Sequence, residues 1–246
     1  MSFSPDVLTL KNVSATYSED SLGGRMVLTD VDFSLKHEAG MAVLTGPNGS
    51  GKTTILRVIT GELPVASGNV FLAGREISSE PTHKRSGLGC LFQRAMDGMC
   101  GSLTVEENLC LMLTNGPPSP VRPLVCEKRR KQLLTRAAEI AGPVGRQDGV
   151  LKKLANHFGK YPNEFSGGEA QQLCLLALMV QEPGPVLVLA DEPTLNLDKS
   201  NRELCLEMLV KLAKKTTVLV ATHDRDLIGL AHCVMKVEEG RIAGND

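Results

Sequence analysis

Short apolar runs alternate with helix-period segments along most of this chain. "MAVLTG" (41–46) is apolar until it meets a glycine-rich loop, and "KTTILRVIT" (52–60) behind that loop has the spacing of an amphipathic helix stopped by Gly61. "GNVFLAG" (68–74) and "GLGCLFQ" (87–93) read as further strands, the second ending in Gln93. "PVLVLADEP" (185–193) is continuously apolar up to two adjacent acids. A helix is expected from about Ser200 to Lys214, then the strand "TTVLVATHD" (216–224), a short helix and a final hairpin around "EEGR" (238–241). Strands that lack polar alternation are buried on both faces. Interleaved with helices, they predict a parallel sheet in an α/β fold.

The middle of the chain departs from that pattern. Between Arg94 and Glu164 the polar and apolar positions suit helices rather than buried strands. "TVEENLCLML" (104–113) and "CEKRRKQLLTRAAEIAG" (126–142) are the clearest, the second closed by Gly142 in a cap position. The segment "TNGPPSPVRP" (114–123) between them reads as a proline-rich connector. The expected organisation is one domain over 1–246, with a core from 1–93 and 165–246 and a helical insertion at 94–164.

Composition narrows the functional classes. The 27 basic and 28 acidic residues leave a net charge of −1, so no general attraction to nucleic acid is expected and any polyanion must be bound locally. Six Phe, two Tyr and no Trp are too few aromatics for a base-stacking platform. Cysteines at 90, 100, 110, 126, 174, 205 and 233 show no metal-ligand spacing and read as small apolar side chains in a reducing compartment. "MSFSPDVLTL" has neither the basic region nor the apolar stretch of a secretory signal. The longest apolar run, "LCLLALMV" (173–180), is well short of a membrane span, so no direct membrane insertion is expected and work at a membrane would require a partner.

The glycine loop carries the strongest chemical signal. "GPNGSGKT" (46–53) fits the phosphate-binding pattern, between an expected strand and an expected helix. Gly46, Gly49 and Gly51 let the backbone wrap a phosphate, and Lys52 is expected to reach the β- and γ-phosphates. Thr53 is the expected Mg²⁺ ligand, with Pro47, Asn48, Ser50 and Thr54 completing the nucleotide-contacting set. Asp191, at a strand's carboxyl end, is expected to help hold Mg²⁺, and Glu192 to act as general base toward water. Gln93 is placed to reach the metal or that water, and His223 to hydrogen-bond the γ-phosphate.

A second glycine motif, "FSGGEAQQL" (165–173), precedes a long apolar helix pattern. With it, the order of motifs resembles the ATP-binding cassette (ABC) ATPases over essentially the whole length. That order is the phosphate loop, Gln93, a helical insertion, "SGGE" (166–169), "LVLADE" (187–192), "NLD" (196–198) and His223. The resemblance implies the ABC form of the P-loop NTPase fold, in which a RecA-like parallel-sheet core carries an N-terminal antiparallel β region and an inserted helical subdomain. It implies ATP hydrolysis with Mg²⁺ and stacking of Tyr17 on adenine. It also implies that two copies, or this chain and a second ABC ATPase, pair head to tail. Each ATP would then lie between one copy's phosphate loop and the other's Ser166, Gly167, Gly168 and Glu169, with Asp198 touching the opposite subunit. The implied setting is cytoplasmic, on the inner face of the membrane, beside integral permease subunits whose coupling helix would dock on "RAMDGMCGS" (94–102).

Two positions depart from the family pattern: Phe165 stands where leucine is usual, and Gln172 where a basic residue is usual. The second is expected to alter dimer affinity or hydrolysis rate by removing a charge. "YPNEFSGGEAQQ", "LVLADEPTLNLDKSN" and the polar insertion "SEDSLGGRM" (18–26) look like the lipoprotein-releasing and macrolide-exporter type. "FQRAMDGMCGSLTVEENL" (92–109) instead resembles importer cassettes for amino-acid-type solutes, and a soluble cassette of iron–sulfur cluster assembly is a further alternative.

Overall fold

In a computed structural model, residues 6–17, 26–36, 40–113, 125–141 and 158–245 are described. The insertion at 18–25, the connector at 114–123 and the Gly142 cap lie outside them. The chain divides into two compact units. The first comprises Met1–Cys90, Pro185–Pro193 and Val210–Asp246, and the second Leu91–Gly184 and Thr194–Leu209.

The first unit contains two sheets. Strands β1 (Leu8–Thr16), β2 (Met26–Leu35), β4 (Ser67–Leu72) and β5 (Arg75–Glu76) form an antiparallel sheet in the order β2-β1-β4-β5. The second sheet runs β10 (Arg241–Asn245), β9 (Cys233–Glu238), β3 (Gly40–Thr45), β8 (Thr217–Ala221), β7 (Leu187–Asp191) and β6 (Leu88–Leu91). β9, β3, β8 and β7 are mutually parallel, and β10 closes the expected C-terminal hairpin antiparallel to β9. Helix α1 (Lys52–Thr60) follows β3 and ends at Gly61.

Register makes this sheet a platform. Leu44 of β3 pairs with Ala221 of β8, and Ala221 also pairs with Asp191 of β7. The carboxyl ends of three parallel strands are therefore level. The chain leaving them delivers the glycine loop, Thr222 and His223, and Glu192 to one edge, where open α/β sheets bind ligands. The ladders of β6 and β8 stop at Leu91 and Ala221, so Gln93 and His223 lie two residues beyond their strands rather than at their ends.

Burial explains why the register holds. Ala42, Val43, Leu44, Val188, Ala190, Val218, Leu219 and Val220 are fully buried, and a one-residue slip would exchange the faces they present. Ile55 and Ile59 of α1 join Leu44, Leu189 and Leu219 in the same core. The C-terminal carbonyls of α1 are satisfied by buried Arg85, whose Nη1 donates to Val58 O at 2.6 Å and Ile59 O at 2.8 Å. Burial lowers the guanidinium's pKa, an effect Glu80 opposes.

The second unit is mainly helical. Among its described residues the α-helices are α2 (Val105–Met112), α3 (Glu127–Ala141), α4 (Gly167–Val180) and the start of α5 (Lys199–Ala213). Thr104 and Glu107 cap α2 reciprocally, as Ser166 and Glu169 cap α4. Arg130 of α3 pairs with Glu106 of α2 in a bidentate contact. Arg136 of α3 donates to Val180 O at 2.8 Å at the end of α4 and pairs with Glu182. Helix α6 (Arg225–Leu230) belongs to the first unit, after β8.

Candidate functional site

The loop 46–51 leaves β3 and turns directly into α1. Gly51 occupies the N-cap without a side-chain hydrogen bond, so the helix's first amides are left for an anion. Gly46 has φ 148°, and a Cβ there would lie 2.2 Å from Val237 O of β9. The turn after β9 braces the loop from the same side, where Gly240 N–H donates to Ser50 O at 2.8 Å. Lys52 is 6% exposed, and its Nζ donates to Gly46 O at 2.8 Å and Pro47 O at 3.1 Å. The ammonium is thus held by the loop's own carbonyls. Pro47, Asn48 and Gly49 are exposed, whereas the Ser50 hydroxyl is buried without a hydrogen-bond partner among the described residues.

The two acids have different surroundings. Thr53 Oγ1 donates to Asp191 Oδ1 at 3.1 Å. Burial pushes the Asp191 carboxyl above its ordinary range; the Thr53 bond opposes this, Glu192 adds to it, and Arg57 and Lys52 oppose it. A hydroxyl and a carboxylate at the foot of a phosphate loop are the hard oxygen donors that Mg²⁺ takes, so the donor set fits that ion.

Glu192 has φ 44°, an unfavourable backbone for a residue with a side chain. Three contacts hold it there. Its N–H donates to Ala221 O at 2.8 Å, its Oε2 accepts from Thr222 Oγ1 at 2.9 Å, and its Oε1 lies 2.8 Å from His223 Nδ1. The His223 side chain is 59% exposed and that of Glu192 12%. Tyr17 is half exposed, with its hydroxyl 3.2 Å from Thr54 Oγ1 and 3.3 Å from Arg57 Nη1 on α1. The phosphate loop, Tyr17, Asp191, Glu192 and His223 all belong to the first unit, and these contacts draw them together.

The remaining candidates lie in the second unit. Gln93 is exposed just beyond β6. Ser166 and Gly167 are exposed at the N-terminus of α4, where Ser166 Oγ accepts from Glu169 N–H and donates to Glu169 Oε2 at 3.0 Å. Gly168 is buried, and a Cβ there would come within 2.7 Å of Asn201 of α5. Asn201 is a hub. Its Oδ1 accepts from Gln172 Nε2 at 2.7 Å, and its backbone and side-chain amides donate to Asp198, holding that carboxyl below the usual range. Gln172 is 5% exposed, so the position that departs from the family pattern is filled by a neutral, hydrogen-bonded buried amide. Lys160 lies over the ring of the other departure, Phe165, at 5.9 Å.

Thr222, Asn201 and the Val237–Gly240 brace were not singled out by the sequence pattern. For Thr222 a signal existed, a hydroxyl residue immediately before the histidine in "ATHD". For Asn201 and the brace the partners lie far apart in sequence, and no local motif marks them.

The profile of the ABC transporter family matches residues 28–195. The chain is 30% identical over 245 residues to the lipoprotein-releasing system ATP-binding protein LolD of Francisella tularensis, an alignment covering 96% of this chain and 95% of LolD. It is 33% identical over 242 residues to the Fe(3+) ions import ATP-binding protein FbpC of Streptomyces coelicolor, covering 97% of this chain and 61% of FbpC. Among solved structures, the dimeric bacterial ABC transporter cassette MJ0796 superposes with a TM-score of 0.75 at 25% identity, over 97% of both chains. MJ0796 bound to ADP and Pi, at 24% identity and a TM-score of 0.73, has the same fold. With a phosphate loop entering α1, paired acids at the end of β7 and helix α4 capped at the "SGGE" motif, the chain belongs to the ABC transporter family, as its ATP-hydrolysing cassette.

Proposed function

We propose that two copies of this cassette close around two ATP molecules and that the resulting motion drives a separate membrane permease. The observation carrying this reading is the convergence of Thr53, Asp191, Glu192 and His223 on one sheet edge beside the phosphate loop. The loop amides and the N-terminus of α1 would hold the triphosphate. Lys52 would exchange its loop carbonyls for the β- and γ-phosphate oxygens, and Tyr17 would support the adenine. Thr53 and Asp191, with Gln93, would hold Mg²⁺, which when bound neutralises charge on the phosphate oxygens.

The chemistry assigned to the chain's own groups is proton transfer and positioning. A water held against Glu192 attacks the γ-phosphorus and passes its proton to that carboxylate. The bond from the γ-phosphorus to the bridging oxygen breaks, and ADP leaves with the electron pair. His223 would hydrogen-bond the γ-phosphate. Ser166 and Gly168 of the second copy would complete the cage, and Asp198 would contact the opposite copy. Loss of the γ-phosphate removes the bridge and lets the pair open.

As to the kind of transporter, the LolD alignment covers 96% of this chain and 95% of LolD, which supports a lipoprotein-release type. An importer is the second reading, favoured by similarity to FbpC and to the probable branched-chain amino acid transport ATP-binding protein LivF of Archaeoglobus fulgidus, 32% identical over 222 residues. Recovery of the chain with an integral permease supports transport, and the permease sequence distinguishes the two readings. Recovery only with soluble iron–sulfur scaffolds contradicts both.

Glu192→Gln tests the chemistry. ATP turnover is expected to fall at least about 100-fold, the scale of a lost general base, while ATP binding persists and a closed dimer accumulates. Undiminished turnover removes Glu192 from the proposed role.

A further inference from the structure

We infer that Thr222 is a positioning residue for hydrolysis: its hydroxyl fixes Glu192 in reach of the attacking water when His223 lets go. The inference rests on the proposed role of Glu192.

Glu192 is gripped by two neighbours of opposite character. His223 holds Oε1 through a side chain that is 59% exposed, and it is the group expected to turn toward the γ-phosphate. Thr222 holds Oε2 from a position with 0% exposure. Its backbone N–H donates to Leu44 O at 3.0 Å, on the strand that feeds the phosphate loop. Thr222 is therefore referenced to the same strand as the phosphate cradle. Its β-branched side chain has few rotamers, which makes it a stiff holder.

The polarity of the bond is also set. Thr222 Oγ1 accepts from Asp224 N–H at 3.1 Å, so its one proton is directed to the Glu192 carboxylate. Glu192 itself sits at φ 44°, a backbone without intrinsic preference for that placement. Once His223 turns to phosphate, Oε1 is free to take a proton from water, and the Thr222 bond is the side-chain contact that still aims the carboxylate. The exchange leaves one carboxylate oxygen anchored and the other available.

The test compares Thr222→Val, which keeps the shape and removes the donor, with Thr222→Ser, which keeps the donor. Thr222→Val should lower kcat about 10- to 100-fold, the cost of misplacing a reacting group by about an ångström. ATP affinity and KM should change less than about twofold, because a group that acts only in the transition state leaves ground-state binding alone. ATP-loaded dimer should accumulate, and Thr222→Ser should restore most of kcat. In the Glu192→Gln background, Thr222→Val should slow turnover no further. If Thr222→Val does not fold, Thr222→Cys, similar in size and a poor donor, takes its place with the same expected loss. Wild-type kcat in Thr222→Val, or a folded Thr222→Ser as slow as Thr222→Val, overturns the inference. The base reading fails separately, if Glu192→Gln alone keeps turning over.

Discussion

Asp191 illustrates at the residue scale how this site works against the stability of its own fold. Its carboxyl is buried enough that desolvation outweighs the help of Thr53, Arg57 and Lys52, so its charged form is disfavoured in the folded chain relative to the unfolded one. Asp191→Asn keeps an oxygen for Thr53 and removes the charge. Nucleotide-free protein carrying it should unfold on the order of 2 °C higher in a thermal melt, while Mg²⁺-dependent ATP hydrolysis is lost. A lower midpoint would mean that the charge stabilises the fold. The cysteines make a second case. Burial pushes the thiols of Cys90 and Cys110 to about 11 and of Cys174 to about 12. Cys100 is exposed, and its hydrogen bond with Ser102 lowers its pKa. Alkylation at neutral pH, read by peptide mass, should mark Cys100 well before these three.

At the scale of elements, what could be read from sequence was what local pattern encodes. "KTTILRVIT" with its terminal glycine gave α1, and the apolar run before Asp191 gave β7. The carboxyl edge of β6 is overrun by two residues and that of β8 by three, because "FQ" and "THD" carry no glycine or proline to mark where the ladder stops. The long-range pairings were not legible. Thr222 meets Glu192 across thirty residues and Gln172 meets Asn201 across 29, and only the register of the strands or the packing of helices brings them together. The Gln172 network should register in stability. Asn201→Leu strands the buried Gln172 amide and strips the Asp198 carboxylate of its side-chain donor, leaving the backbone N–H of residue 201. A loss of about 2 kcal/mol follows from the orphaned amide, read as a fall in the denaturation midpoint. No change would mean that this junction is not stabilised by the network. Ser166→Ala, losing one helix cap, should cost only about 1 kcal/mol.

At the scale of the whole molecule, no helix among the described residues is long and apolar enough to cross a membrane, and the proposed coupling runs through a separate permease. The segment proposed to meet a permease is tied down at both ends. Cys174 Sγ–H donates to Ala95 O at 3.1 Å, and the Asn108 side chain bonds both the N–H and the carbonyl of Cys100. Met96 and Met99 between them are partly exposed. Met96→Glu or Met99→Glu should abolish permease-stimulated hydrolysis and leave ATP binding intact; loss of both together would speak against docking there. In the proposed function, a complete catalytic centre needs two copies of the chain. The most direct measurement is ATP turnover per molecule across a dilution series, with oligomeric state followed in parallel. Turnover per molecule should fall as dimer is lost, and Glu192→Gln with ATP should stay dimeric at the same dilution. Constant turnover per molecule in strictly monomeric protein would contradict the need for two copies.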